Sequence, residues 1–315
     1  MAETPKETPT TEAAEERKKP NLMVEVFTRL VKEKPLGTVG GVIVLIMFLA
    51  AIFADFISPY GMNEVHLVDR MTPPSAEYVL GTDNIGRDIL SRIIYGSRIS
   101  MYVGLGGSAL CTLSAVVIGV ISAFFGGKTD MIIQRFVDAF MCFPPLFMYL
   151  TLMAMLGPGI LQVIFVLGIV RGVRQSRVVR GAVIGIKENV YVEAAKAIGA
   201  SPTRILNRHI LPNIMAPVIT IFAVSSGYMI LSEATLSFLG FGVPPPAPSW
   251  GGMLSGSGRR YMLQAPWMAL WPGLALTTVI YGMNMLGDAI RDILDPRLRG
   301  GLGRYGGVKK KLPKA

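Results

Sequence analysis

Few side chains in this sequence of 315 residues are placed for covalent chemistry. Its two histidines, His66 and His209, stand far apart, and its two cysteines, Cys111 and Cys142, both fall inside apolar runs, so neither a metal cluster nor a disulfide framework is supported. Gly126-Gly127-Lys128-Thr129 ends like a phosphate-cradling loop, but Ser122 occupies the place of its first glycine and an apolar helix, not a strand, precedes it. No nucleophile and base come together in one apolar segment, which argues against an intramembrane hydrolase. What remains is carboxylates within apolar runs: Asp138, Glu233 and Asp288. Each costs about 2.5 to 3.5 kcal/mol if it faces lipid, so each marks a proton or solute site unless a partner neutralises it. Arg135 lies one helical turn before Asp138 and Arg291 one turn after Asp288, which offers both a local pair. Glu233 has no such neighbour and is a candidate for a pathway or a partner surface. Pro144-Pro145 interrupts the Asp138 run, either shaping a cavity or kinking a helix.

The elements that hold these residues follow from composition. Hydrophobic residues make up 51% of the chain and charged residues only 17%, with mean hydropathy +0.48. Long uncharged runs near the ~20 residues that cross a bilayer exclude an ordinary soluble domain. These runs lack the alternation of barrel strands, and backbone polar groups in hydrocarbon must be bonded within their own segment, so the expected fold is an all-α integral membrane protein. Six spans are expected, at 37–57, 99–125, 134–156, 159–180, 213–237 and 269–290. The fourth carries Arg171, Arg174, Arg177 and Arg180 in its second half, but charge supports it. With six spans and a cytoplasmic N-terminus, 25 of the 31 Lys and Arg residues lie inside. Without it, most lie outside. The polar stretch 1–20, read as disordered within a cytoplasmic tail 1–36, has no secretory h-region; the first apolar run is too long to be one and stays as an anchor. The basic tail 291–315, with Lys309-Lys310-Lys311, reads as topological charge near acidic lipid rather than as a nucleic-acid site. Trp250, Trp267 and Trp271 cluster in or beside the last outer loop, 238–268, as headgroup-zone residues do.

Two connections have their own pattern. In the inner loop 181–212, residues 187–198 are good helix formers, Gly199 supplies a left-handed stop, Ser201 caps a second short helix and Pro202 takes its first position. That describes either a stiff protrusion or an amphipathic stretch lying on lipid. In the outer segment 58–98, Thr82 or Asp83 can cap an interfacial helix leading into the second span. Small residues at Gly104 to Gly107, Gly168/Gly172 and Gly181/Gly185 permit close helix packing.

The words Glu193-Ala194-Ala195, then Gly199 after three residues, then Leu211-Pro212, resemble the EAA loop of permease subunits in ATP-binding-cassette importers, E-A-A-x3-G-x9-I-x-L-P, with His209 where the pattern has Ile. Residues 80–92, 236–246 and 286–296 are similar, in the same order, to stretches of the dipeptide, oligopeptide and nickel permease family, of the "C" type. The resemblance implies a MetI-like permease fold and a non-enzymatic subunit of an importer in a prokaryotic cytoplasmic membrane. It further implies a second homologous permease, two cytoplasmic ATPases that carry ATP and Mg, and an external solute-binding protein. Glu193, Ala194, Ala195, Lys196, Gly199, Ser201 and Pro202 would then couple to an ATPase. Gly81, Thr82, Asp83, Gly86, Arg87 and Asp88 would form the external signature, and Asp138, Pro144, Pro145 and Glu233 are candidates for the pathway or permease interface. The competing reading is an ion-coupled secondary transporter that uses Asp138 or Glu233 as a proton site.

Overall fold

The computed structural model describes residues 22–294; the tail at 1–20 and most of the basic C-terminal tail lie outside them. Among the described residues the chain is helical, with a single isolated β-bridge, Thr82 to Asp88. Twelve α-helices follow one another: α1 (Leu22–Glu33), α2 (Pro35–Ile52), α3 (Ala54–Ile57), α4 (Ile89–Phe125), α5 (Gly127–Met141), α6 (Pro145–Leu156), α7 (Ile160–Lys187), α8 (Val190–Ala197), α9 (Pro202–Ile205), α10 (Met215–Phe238), α11 (Trp250–Met253) and α12 (Trp267–Leu294). A π-turn at Leu206–Ile210 and a 3-10 turn at Leu211–Ile214 join α9 to α10, so Pro202–Phe238 is one continuous helical path.

Four of these paths are long and apolar enough to cross a membrane: Pro35–Ile52, Ile89–Phe125, Pro202–Phe238 and Trp267–Leu294. Helices α5 and α6 qualify only as a pair, bent by 90° where Pro144-Pro145 breaks the chain. The single helix expected over 134–156 is therefore two, because neither proline can donate to an upstream carbonyl. The second expected span, 99–125, is the C-terminal part of α4, whose 37 residues reach roughly 55 Å at 1.5 Å per residue. No separate interfacial helix precedes it.

Helix α2 packs on α12, α12 on α10, α10 on α4 and, most extensively, α4 on α7. Glycine makes the last approach possible: a Cβ on Gly119 would lie 2.5 Å from Ser176 O, and one on Gly172 would lie 2.8 Å from Cys111 O. Gly168 likewise abuts Leu110, whereas Gly181 and Gly185 face nothing within 4 Å. Small residues of one helix thus divide into a packed pair and an unpacked pair. The largest core runs through this α4–α7 seam, with Val103, Cys111, Val163, Leu167 and Val170 buried. Large side chains of α2, among them Val39, Leu45 and Ile46, remain exposed, as a lipid-facing surface requires. Trp250 does not join the expected aromatic belt; it is 2% exposed and its Nε1 donates to Ile93 O at 3.0 Å.

Candidate functional site

One end of the bundle carries a compact helical knob. At its base Lys187, the last residue of α7, donates from Nζ to Ala123 O at 3.2 Å and Phe124 O at 2.8 Å, which ties α7 to the end of α4. The expected helix over 187–198 therefore starts later, at Val190, because Lys187 still belongs to α7. After α8 the chain reverses through Gly199 at φ +79°. Ala200 N donates to Ala195 O at 3.0 Å and Gly199 N to Lys196 O at 2.9 Å, the paired closure of a Schellman turn. Ser201 Oγ then accepts from Arg204 N at 3.3 Å, and Pro202 opens α9. Val192, Ala195 and Ile205 face inward and are buried in the main core. The opposite face presents Val190, Tyr191, Glu193, Ala194, Lys196 and Ile198 to the surroundings. Of the two alanines, only Ala194 is open to a partner; Ala195 supports the knob from below.

The other end is closed by the segment before α4. Asp83 is 4% exposed and accepts from Ile85 N and Arg87 N, each at 3.0 Å, and from Arg87 Nε at 2.7 Å. It shapes a turn rather than capping a helix. The N-cap of α4 is Asp88, whose carboxylate accepts from Ser91 N at 2.8 Å and Ser91 Oγ at 2.7 Å. Thr82 is also buried: its Oγ1 donates to Asp69 O, and its carbonyl accepts from Trp267 Nε1 at 3.2 Å. Gly81 and Gly86 both take positive φ, +81° and +83°, and a Cβ on Gly86 would collide with His66 O. Nearby, burial and then the Asp69 carboxylate, which accepts from Tyr78 Oη at 3.1 Å, push the Tyr78 phenol up to about 12. The six signature residues thus build one hydrogen-bonded cap.

The sequence carries a matching family model, the binding-protein-dependent transport system inner membrane component, over residues 115–300. This chain belongs to that family. A second model, the N-terminal transmembrane domain of oligopeptide transport permease C, matches residues 21–74 of the permease. It is 39% identical over 275 residues to the dipeptide transport system permease protein DppC of Alkalihalophilus pseudofirmus, covering 87% of this chain and 90% of that one. To the oligopeptide transport system permease protein OppC of Bacillus subtilis it is 37% identical over 268 residues, with 85% and 88% covered. In fold it is similar to a chain of the inward-facing MetNI methionine ABC transporter, with TM-score 0.53 and 16% identity over 65% of this chain and 96% of that chain. The fold is accordingly MetI-like, and the protein is a permease subunit of the ABC-importer class.

The permease pairs two of the four arginines of α7 with carboxylates and gives the other two uncharged partners. Arg180 reaches Asp130 on α5 through Nε at 2.8 Å and Nη2 at 2.6 Å, and Arg177 pairs with Asp138. Arg135 also approaches Asp138, at 3.7 Å. Arg174 donates to Phe143 O at 2.5 Å, while Arg171 stacks 3.7 Å from the Tyr228 ring centroid and donates to Ser225 Oγ at 3.1 Å. These partners explain how an arginine-rich half-helix is accommodated, and sequence proximity could not reveal them, since 39 positions separate Asp138 from Arg177, 50 separate Asp130 from Arg180 and 54 separate Arg171 from Ser225. The expected Asp288–Arg291 pair is not formed among the described residues; Asp292 instead accepts from Lys34 at 2.5 Å. Glu233 is fully enclosed by its own chain, accepting from Ser237 Oγ at 2.6 Å, and it presents no surface to a pathway in this conformation.

The α5–α7 pairs differ in exposure and should differ in weight. Asp130→Asn is expected to lower subunit stability by about 1 to 3 kcal/mol, because it disrupts a bidentate, charge-assisted contact. Asp138→Asn, whose pair is nearly half exposed, should cost less than about 1 kcal/mol. Thermal unfolding of the two variants in detergent checks the order; a larger loss for Asp138→Asn contradicts it.

Proposed function

We propose that this permease subunit forms half of a translocation pathway for peptides in a prokaryotic cytoplasmic membrane. A second, similar permease completes the pathway, an external binding protein delivers solute, and two cytoplasmic ATPases that hold ATP and Mg drive it. The relatives named above are dipeptide and oligopeptide permeases, which supports a peptide as cargo. Both termini and the knob face the cytoplasm, as the excess of Lys and Arg on that side favours, and the cap built around Asp83 faces outward. The chain crosses six times in this reading, with α7 and the bent pair α5–α6 counted as spans.

The observation that carries the coupling role is the knob's division of labour. Its inner face is locked into the core through Val192, Ala195 and Ile205, while apolar Val190, Tyr191 and Ile198, the last 86% exposed, surround Glu193 and Lys196 without cover. Such an apolar patch with a charged pair suits insertion into a cleft of another protein. Because the knob is tied to both α7 and α10, a cleft that moves with nucleotide state carries the spans with it. That is how ATP binding would shift the pathway between inward- and outward-facing forms.

Reconstitution tests the reading. Proteoliposomes that hold the complete complex are expected to accumulate peptide only with internal ATP and the binding protein, and the subunit alone should accumulate none under a proton gradient. Proton-driven uptake by the subunit alone would instead establish the ion-coupled alternative.

A further inference from the structure

Arg92, on the first turn of α4, is 6% exposed, yet no carboxylate pairs with it among the described residues. Its Nη1 donates to Met62 O at 2.9 Å and lies 3.4 Å from Asn63 Oδ1. The Asn63 amide is better satisfied when turned, with its nitrogen donating to Met62 O and Pro246 O, so the Met62 carbonyl is the firm partner of Arg92 Nη1. The N–H groups on Nε and Nη2 of Arg92 have no acceptor among the described residues. A largely buried guanidinium with no paired carboxylate is poorly compensated, so a counter-charge reaching it from the cavity side would be favoured.

Arg92 lines a cavity of about 420 Å³ at the cap end of the bundle. Arg87, Asp83, Asn84, Ser237 and Ser249 share its wall with residues of the segment between α10 and α12. Asp83 is already committed to Arg87 Nε and to two backbone N–H groups, so the wall keeps one uncompensated positive charge. Glu233 lies behind Ser237 and is not a wall residue. The volume suits a small solute, within the ~300 to 1,000 Å³ of ordinary ligand pockets, and is too small for a folded domain. A guanidinium fork is matched geometrically by a carboxylate, which two parallel N–H groups can engage.

We infer that this cavity is a receiving site for the free carboxylate of a small solute, held chiefly by Arg92 with Arg87 beside it. The inference rests on the permease reading for its outward orientation and for a peptide terminus as the carboxylate. The site would favour substrates with an unblocked C-terminus before they enter the pathway.

Titration calorimetry of L-alanyl-L-alanine and its C-terminal amide against the full chain in nanodiscs tests it directly. The free acid is expected to bind at least about tenfold more tightly than the amide. Arg92→Gln should abolish the difference and Arg92→Lys should retain part of it. Gly256→Leu adds a side chain to the cavity wall where a Cβ meets nothing within 4 Å, and it should weaken binding with Arg92 in place. Equal affinity for acid and amide in the wild type, no binding at all, or unchanged discrimination in Arg92→Gln overturns the inference. Discrimination that appears only when the binding protein is added also overturns it, because the carboxylate is then read elsewhere. ATP-driven uptake by the assembled transporter is scored separately: uptake without discrimination removes this site and leaves the permease reading intact, whereas discrimination without uptake does the reverse.

Discussion

Glu193→Lys and Gly199→Val are each expected to reduce ATP-driven uptake at least about tenfold, roughly 1.4 kcal/mol of lost coupling, while the subunit still inserts into the membrane. The two act differently. Glu193 is exposed on the outer face of α8, so reversing its charge alters what a docking cleft meets and leaves the knob's own packing in place. Gly199 sits at φ +79° with nothing within 4 Å of an added Cβ, so the loss comes from backbone conformation and not from a clash. A β-branched residue there costs on the order of 1 to 3 kcal/mol and opens the turn that ties Ala200 to Ala195. Copurification of the ATPases with each variant, together with uptake, measures the effect. Wild-type uptake and copurification in both would remove the knob from the mechanism.

The largest effect on the fold is expected from Gly119→Leu. Its side chain would start 2.5 Å from Ser176 O and 2.9 Å from Arg180 N, both backbone atoms of α7, so the helix must move bodily. Overpacking of this kind costs about 1 to 3 kcal/mol or more, and here it also displaces the Arg180–Asp130 contact. The variant should unfold at lower temperature in detergent and yield less inserted protein. Gly181→Leu, on α7 itself but facing nothing within 4 Å, serves as the comparison and should stay within about 0.5 kcal/mol of the wild type. Equal stability of the two variants would show that the α4–α7 seam does not depend on glycine.

The same contrast explains how far the sequence could be read. Apolar runs and the charge distribution disclosed an all-helical membrane protein, and the turn chemistry of Gly199, Ser201 and Pro202 disclosed the knob, because each rests on local physics. Which glycines are packed is a tertiary fact: Gly172 and Gly181 look alike in sequence, yet only the first meets another helix. The start of α4 differs from the expected one for a related reason. Thr82, Asp83 and Asp88 are all competent caps, and the choice fell to Asp88 because Asp83 is occupied by Arg87 and by backbone N–H groups of its own turn. Likewise nothing in the sequence singles out Arg92, because its burial and the cavity beside it are tertiary facts.

The docking of the knob is measured most directly with one thiol. Ile198→Cys, placed in a Cys142→Ser background because Cys142 is exposed while Cys111 is buried, puts a reporter at the tip of the knob. In sealed right-side-out vesicles this cysteine is expected to escape impermeant reagents added outside and to cross-link to an ATPase subunit from within, with a yield that changes on ATP addition. Labelling from the outside, or no cross-link to the ATPase in a complex that transports normally, would contradict it.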